Sequence, residues 1–373
     1  MLHFGKIPKK FGQLKLKFSK IQNAESQFTD QGADIGKQMK NKKILVTGGA
    51  GFIGSHLVEH LLANDNSVVV IDNFNDFYDP SIKRSNVKAY SNNENCRVVE
   101  GDIRDLDDVR KAFLDGPFDA IVHLAAMAGV RPSLENPSLY VDVNLKGTQN
   151  LLDSATRDPD NLPLFVFASS SSVYGARQSE SFKETDRTDK PISPYAATKM
   201  SGEMICHSQH VATGMDIVCL RFFTVFGPRQ RPDLAIHKFC RLIDSDQPIE
   251  MYGDGSSQRD YTYIGDIVDG ISRVLDLKNP GFEIFNLGRS EPVVLSDMIK
   301  AIEKALGKEA VINRKPMQKG DVPNTFANID KAKEQLGYKP HTSLDIGVAE
   351  FVDWYKKEKE RANISELSPI RLK

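Results

Sequence analysis

The chain has 373 residues, with 49 Lys and Arg against 50 Asp and Glu and a formal net charge of −1. This balance gives no bulk attraction to nucleic acid, and the length is ample for a large buried core. No stretch approaches the roughly 18 apolar residues of a membrane span. Cys96, Cys206, Cys219 and Cys240 show neither metal-ligand nor Cys-x-x-Cys spacing, which predicts reduced packing thiols, no metal site and a cytoplasmic setting.

Residues 1–42 form a basic extension. Its first 21 residues carry Lys6, Lys9, Lys10, Lys15, Lys17 and Lys20, with no Arg and no acid. Phe4, Ile7, Phe11, Leu14, Phe18 and Ile21 recur at alternating spacings of three and four, the pattern of a basic amphipathic helix for an anionic surface or a partner. Gly5, Pro8 and Gly12 oppose a helix there, and Met39 stands just before the first predicted strand. Membrane contact is expected only through residues 1–21, and the absence of Arg argues against an organellar transit peptide.

The apolar run Lys43 to Thr47 predicts a strand that feeds Gly48-Gly49-Ala50-Gly51-Phe52-Ile53-Gly54, followed by a helix over Ser55 to Ala63. Strand, glycine turn and helix in that order place bare backbone amides where a pyrophosphate would lie. A second strand, Ser67 to Ile71, ends at Asp72, 18 residues after Gly54. A carboxylate there accepts both ribose hydroxyls and repels a 2′-phosphate, so it selects NAD over NADP. Further strands at Arg97 to Glu100, Phe118 to His123 and Leu164 to Ala168, with helices from about Asp105 and over Asn136 to Thr156, continue the βαβ rhythm. The prediction is an α/β protein with a doubly wound parallel Rossmann sheet and a smaller α/β substrate-binding part. Asp102 and Ile103 are expected to flank the adenine, and Leu124, Ala125 and Ala126 to allow close backbone approach to the cofactor.

Ser169 to Ser172 are too polar for sheet interior and fit either a polar turn or a site at a strand end. Farther on, Tyr195 and Lys199 are four apart, sharing one face of a predicted helix. A phenol with an unperturbed pKa of about 10 needs roughly 4 kcal/mol of selective stabilisation to act as a base near pH 7. Lys199 and a cationic nicotinamide are expected to supply it.

TGGAGFIG, Asp72, DIRD at 102–105, HLAA at 123–126, SSVYG, YAATK and RDYTYIGD at 259–266 together resemble the extended short-chain dehydrogenase/reductase family, specifically its nucleotide-sugar epimerases. The likeness runs from about Lys43 to about Tyr355. It implies catalytic roles for Ser170, Tyr195 and Lys199, the last two also facing the cofactor, and a supporting role for Asn144 beside the site. The implied reaction removes a proton and a hydride at carbon 4 of a UDP-sugar, then returns the hydride to the other face. Relatives that dehydrate or decarboxylate usually carry acids where this chain has Ser171 and Ser172, which disfavours both chemistries here.

Within that family, the DNFNDFYDP segment, Ala128-Gly129-Val130-Arg131 and Arg221 to Asp233 look most like UDP-glucuronate 4-epimerases. The resemblance places Thr224, Arg231 and Ser171 near the sugar carboxylate, Arg131 on the substrate side, Arg259 at the diphosphate, and Gln318 and Asp321 in a segment that closes over the nucleotide. Met127 and Arg229-Gln230 depart from residues frequent in that group. Asn286-Leu287-Gly288 reads as a turn with no chemistry, and the helix expected over Leu344 to Lys359 as packing. The expected organisation is residues 43–221 for NAD, with 258–278 packing back onto them. Residues 222–257 and 279–360 then form the substrate-binding part, and 361–373 a tail. A homodimer through helices including that of Tyr195 is usual for relatives. The competing readings are a 4-epimerase of UDP-glucose or UDP-N-acetylglucosamine, a UDP-glucuronate decarboxylase, and a non-catalytic NAD-binding scaffold or sensor.

Overall fold

The computed structural model describes residues 40–177, 181–316 and 324–362. Residues 1–39 of the basic extension, Gln318, Asp321 and the tail from 363 lie outside those residues.

β1 (Lys43–Thr47), β2 (Ser67–Asp72), β3 (Cys96–Glu100), β4 (Ala120–His123) and β5 (Leu164–Ser170) form where the apolar runs predict strands, and a sixth strand, β6 (Ile217–Phe222), follows that the sequence reading did not name. Between them lie α1 (Phe52–Ala63), α2 (Pro80–Lys88), α3 (Leu106–Phe113), α4 (Val130–Glu135), α5 (Pro137–Val141), α6 (Gly147–Ala155) and α7 (Pro194–Thr213). Local signals set several boundaries. Asp105 caps α3 by accepting from the Asp107 and Asp108 amides, and Ser193 caps α7 through the Ala196 amide, with Pro194 in the first turn and Gly214 left-handed at the end.

Beyond β6 come β7 (Thr224–Phe226), α8 (Ala235–Asp244), β8 (Ile249–Tyr252), β9 (Gln258–Tyr263), α9 (Ile264–Leu275) and β10 (Phe282–Leu287). Then follow β11 (Pro292–Val294), α10 (Leu295–Leu306), β12 (Ile312–Lys315), β13 (Asn324–Thr325), α11 (Asp330–Leu336) and α12 (Leu344–Ala362). The large sheet has seven strands in the order β10-β6-β5-β4-β1-β2-β3, and every pairing in it is parallel. Chain order reverses between β1 and β4, and their carboxyl ends align Thr47 with His123. Such a switch point opens a crevice for a ligand.

Both faces of this sheet are covered, as strand alternation requires. Ile44 and Val46 join one apolar cluster with Leu57, Ile267 and Ile271; Leu45 joins another with Leu151, Phe165 and Cys219. A third cluster holds Phe226, Ile236, Met298 and Phe351 around the smaller sheets, where β7, β11 and β13 pair with β9 and β12 pairs with β8. The helix expected over Leu344 to Lys359 is the packing element α12. All four cysteines are free thiols, and Cys206, Cys219 and Cys240 are buried. Among the described residues no helix is long and apolar enough to cross a membrane.

Two elements differ from the sequence reading. The single helix expected over Asn136 to Thr156 is broken by a π-helical turn, Asp142–Lys146, in which the Gly147 amide reaches back to the Asp142 carbonyl. The extra residue in that turn accompanies the inward placement of Asn144, which is buried. Asn286 and Leu287 are not a turn but the last residues of β10. Asn286 is fully buried, accepting from the Tyr174 hydroxyl at 2.6 Å and donating to the Phe182 and Asn328 carbonyls at 2.9 and 3.1 Å. An amide with that many long-range partners belongs inside the sheet rather than at its rim.

Candidate active site

At the switch point, β1 runs directly into the glycine turn. The Gly48 amide donates to the Ile71 carbonyl at 2.8 Å, tying the turn to β2. Gly48 has φ +71°, and a Cβ there would lie 2.7 Å from the Ala125 amide nitrogen. At Gly54 an added Cβ would lie 2.2 Å from the Gly48 carbonyl oxygen. Side chains are thereby excluded from both places, bringing the start of α1 against the turn. Gly51 caps α1 in extended conformation with no side-chain hydrogen bond, so the first-turn amides have no side-chain cap. Phe52 packs into the core while Ile53 stays partly exposed.

Asp72, at the end of β2, accepts from the Ala50 amide at 3.1 Å and the Phe74 amide at 2.9 Å. Burial raises its pKa, and Lys83 with those amides works against the rise. Asp102 sits after the neighbouring strand. Its partial burial is outweighed by hydrogen bonds from Arg104 and Asn73, which hold the carboxyl down to about 2. Ile103 points elsewhere: its side chain is buried against Gly147, and its carbonyl accepts from Asn150 at 2.9 Å. Ala125 follows β4 and donates its amide to the Thr47 hydroxyl at 3.1 Å, with Leu124 and Ala126 beside it partly exposed.

Period-two alternation separates the serines at the end of β5. Ser169 turns inward and donates to Glu203. Ser170 faces the opposite way, accepting from the Ser172 amide at 3.2 Å and hydroxyl at 3.0 Å. Ser170 also hydrogen-bonds the half-buried Tyr195. Burial raises the Tyr195 pKa; the Ser170 hydrogen bond and the Arg231 charge oppose that rise. Burial, the largest of these effects, favours the neutral phenol.

Lys199 is buried, donates to the Ala168 carbonyl at 2.7 Å and lies 5.0 Å from the Phe167 ring centroid. Burial lowers its pKa to about 8. The helix does share one face between Tyr195 and Lys199, and the ammonium turns to the Ala168 carbonyl near the end of β5. Four methylenes give Lys199 the reach to prefer an acceptor already desolvated at the sheet edge.

Asn144 ties these parts together. It accepts from the Met127 amide at 2.8 Å, and donates to the Met127 carbonyl and the Thr198 hydroxyl, each at 3.0 Å. It thus fixes the segment after β4 to the Tyr195 helix, and the Tyr140 ring meets the Tyr195 ring edge-on at 6.2 Å.

On the substrate side, Thr224 begins β7, partly exposed, paired with Tyr261. Ser171 opens the short 3-10 helix after β5. The Arg231 guanidinium donates from Nε and Nη2 to the two Asp233 oxygens at 2.9 and 2.7 Å and lies 5.1 Å from the Phe77 ring centroid. The Arg131 guanidinium lies over the Tyr252 ring, 5.7 Å from its centroid. Arg259, on β9, donates to its neighbour Gln258 at 2.9 Å.

Several residues at the site were not singled out in the sequence. His123 lies buried between the Thr47 and Thr148 hydroxyls, at 2.7 and 2.9 Å. Thr47 accepts from Ala125 and Thr148 donates to the Asn144 carbonyl at 2.6 Å. Thr47 therefore donates to Nδ1, and Nε2 carries the proton toward Thr148. Burial, with Lys199, lowers the His123 pKa to about 3, keeping it neutral. Under β5, Arg221 and Glu203 form a buried pair, with bonds of 2.9 and 2.7 Å, and Arg221 reaches the Tyr174 hydroxyl at 3.0 Å. Removing one member would strand a buried charge at about 3–5 kcal/mol. Asp260, next to Arg259, accepts from the Arg289, Ser290 and Ala327 amides at 2.8, 2.9 and 3.0 Å. The HLAA motif was visible, but the hydroxyl partners of its histidine lie 76 and 25 residues away. No His, Cys, Asp and Glu cluster among the described residues could hold a metal.

A parallel sheet with a glycine turn at its switch point, and a Ser, Tyr and Lys set beside the end of β5, defines the class of extended short-chain dehydrogenase/reductases. A family model described as GDP-mannose 4,6 dehydratase matches residues 45–351, and the chain belongs to that family. UDP-glucuronate 4-epimerase 4 of Arabidopsis thaliana is 43% identical over 328 residues, covering 84% of this chain and 75% of that protein. The UDP-glucuronate 4-epimerase of Thermodesulfobacterium geofontis is 41% identical over 317 residues, covering 85% of this chain and 97% of that protein. Among solved structures, a UDP-glucuronic acid 4-epimerase from Bacillus cereus in complex with UDP-glucuronic acid and NAD is 39% identical with a TM-score of 0.80, covering 85% of this chain and 99% of that one.

Proposed function

We infer that the chain catalyses NAD-dependent 4-epimerisation of UDP-glucuronate to UDP-galacturonate. The observation that carries this reading is Ser170 at the end of β5 beside the α7 helix that bears Tyr195 and Lys199, with Lys199 anchored on the Ala168 carbonyl at 2.7 Å. Its residues fit the cofactor: the turn excludes any Cβ at Gly48 and Gly54, the first amides of α1 lack a side-chain cap, and Asp72 presents a carboxylate at the end of β2. Phe52, Ile53, Asp102, Leu124 to Ala126 and the Ile103 main chain border the same crevice. When bound, NAD accepts the carbon 4 hydride and gives it back.

Tyr195 takes the proton of the sugar 4-hydroxyl and later returns one, while Ser170 hydrogen-bonds the same oxygen and stabilises its developing charge. Lys199 holds a positive charge at the end of β5 and orients the cofactor side of the site. Asn144 keeps the Tyr195 helix in register with the segment after β4. Thr224, Ser171 and Arg231 receive the sugar carboxylate; Arg131, Arg259, Gln318 and Asp321 serve the nucleotide and diphosphate. Ser171 and Ser172 supply no additional acid for dehydration.

The cofactor part comprises residues 43–221 with 258–278, and the substrate part 222–257 and 279–360, although β10 completes the larger sheet. The protein is cytoplasmic and forms a homodimer through α7 and its neighbours, a reading supported by exposed Leu134, Val141, Met204 and Val211 on helices that pack together.

The test is incubation of purified protein, without added NAD, with UDP-glucuronate, UDP-glucose and UDP-N-acetylglucosamine separately, followed by proton NMR. Conversion of the uronate alone is expected. Conversion of a neutral sugar instead contradicts the carboxylate roles of Thr224 and Arg231.

A further inference from the structure

Arg231 is held along one edge and one face. Its Nε and Nη2 edge is filled by Asp233, its face lies over Phe77 from the loop after β2, and Nη2 would stand 3.7 Å from a Cβ placed on Gly129. The Asp233 contact is built locally. The Leu234 amide donates to the Arg231 carbonyl at 3.2 Å, closing a turn with Pro232 and Asp233 in its two central positions. Proline there presets the backbone, so Asp233 returns to the guanidinium with little entropy left to lose. The side chains of the pair are only 16% and 26% exposed, so the paired charges are poorly screened.

We propose that Asp233 is a positioning residue that fixes the angle at which Arg231 presents its Nη1 edge to the sugar carboxylate, and so sets whether the oxidised substrate is epimerised or decarboxylated. The inference rests on the uronate reading given above. Oxidation at carbon 4 makes a β-keto acid, which loses carbon dioxide when the C5–C6 bond aligns with the C4 carbonyl π system. In that leak the C5–C6 bond breaks, its electron pair passes into the carbonyl as an enolate, carbon dioxide departs, and C5 takes a proton from solvent. The hydride removed earlier then returns to carbon 4, giving a UDP-pentose with no outside oxidant or reductant. A guanidinium locked along one edge and one face holds the carboxylate at one angle; a loose one lets it turn. Lysine could not substitute, because a point charge imposes no such angle.

The experiment feeds the NAD-loaded wild type, Asp233→Asn and Phe77→Leu with UDP-glucuronate carrying carbon-13 at carbon 6. It measures labelled carbon dioxide and UDP-pentose against UDP-galacturonate. Asp233→Asn is expected to raise the decarboxylated fraction roughly tenfold or more, as expected for loss of about 1.4 kcal/mol of orienting interaction. Phe77→Leu is expected to move it the same way by a smaller factor, and it carries the test if Asp233→Asn fails to fold. An unchanged fraction in a variant that still turns over overturns the proposal. A fall in KM with that fraction unchanged overturns it too, and marks Asp233 as a competitor for the clamp instead. If the wild type does not convert UDP-glucuronate, the uronate reading fails first and takes this inference with it.

Discussion

Tyr195→Phe is expected to lower kcat for UDP-glucuronate by about 1,000-fold, or ~4 kcal/mol of transition-state stabilisation, within the usual span for a positioned acid/base. The phenylalanine retains the ring that meets Tyr140 edge-on. It removes only the hydroxyl that Ser170 hydrogen-bonds. Thermal stability should therefore stay close to the wild type, which separates loss of chemistry from loss of fold. Steady-state kinetics by NMR, with a melting curve on the same sample, checks both halves. Turnover within tenfold of the wild type would remove Tyr195 from the mechanism and bring back the reading of an NAD-binding scaffold.

Gly54→Ala is expected to weaken NAD binding by roughly 100-fold or more, about 3 kcal/mol. The methyl group would lie 2.2 Å from the Gly48 carbonyl oxygen and 2.7 Å from the Gly49 Cα. Neither neighbour is a flexible side-chain end, so the clash can be relieved only by moving α1 off the turn. That movement separates the uncapped amides of α1 from the strand end carrying Asp72. Wild-type protein should copurify with NAD, released on denaturation, while the variant should copurify with little. Equal cofactor content would show that the turn does not approach the ligand as closely as Gly54 implies.

The parts legible in the sequence are those whose causes are local. A strand running into glycines and then a helix, a carboxylate at the end of the next strand, and Ser193-Pro194 starting the Tyr195 helix each carry their reason within a few residues. The parts that were not legible depend on distant partners. Asn286 looks like a turn residue until Tyr174, 112 positions earlier, is found donating to it. Nothing near Lys199 in the sequence shows that its ammonium reaches the Ala168 carbonyl, 31 positions earlier. The π turn at Asn144 cannot be read from periodicity, because the inserted residue is accommodated by Met127 and Thr198 on other segments. Asp233 is a different case. Its contact with Arg231 spans only two positions, but its meaning depends on the Phe77 ring, more than 150 positions earlier, lying under the same guanidinium.

The measurement that bears most directly on the central claim uses UDP-glucuronate deuterated at carbon 4, incubated with the purified protein in ordinary water without added cofactor. One hydride leaves carbon 4 and the same one returns, so UDP-galacturonate should form with the deuterium still on carbon 4 and no solvent hydrogen in its place. Product that has exchanged its carbon 4 hydrogen with water, or no product at all, would contradict NAD-dependent epimerisation at this site.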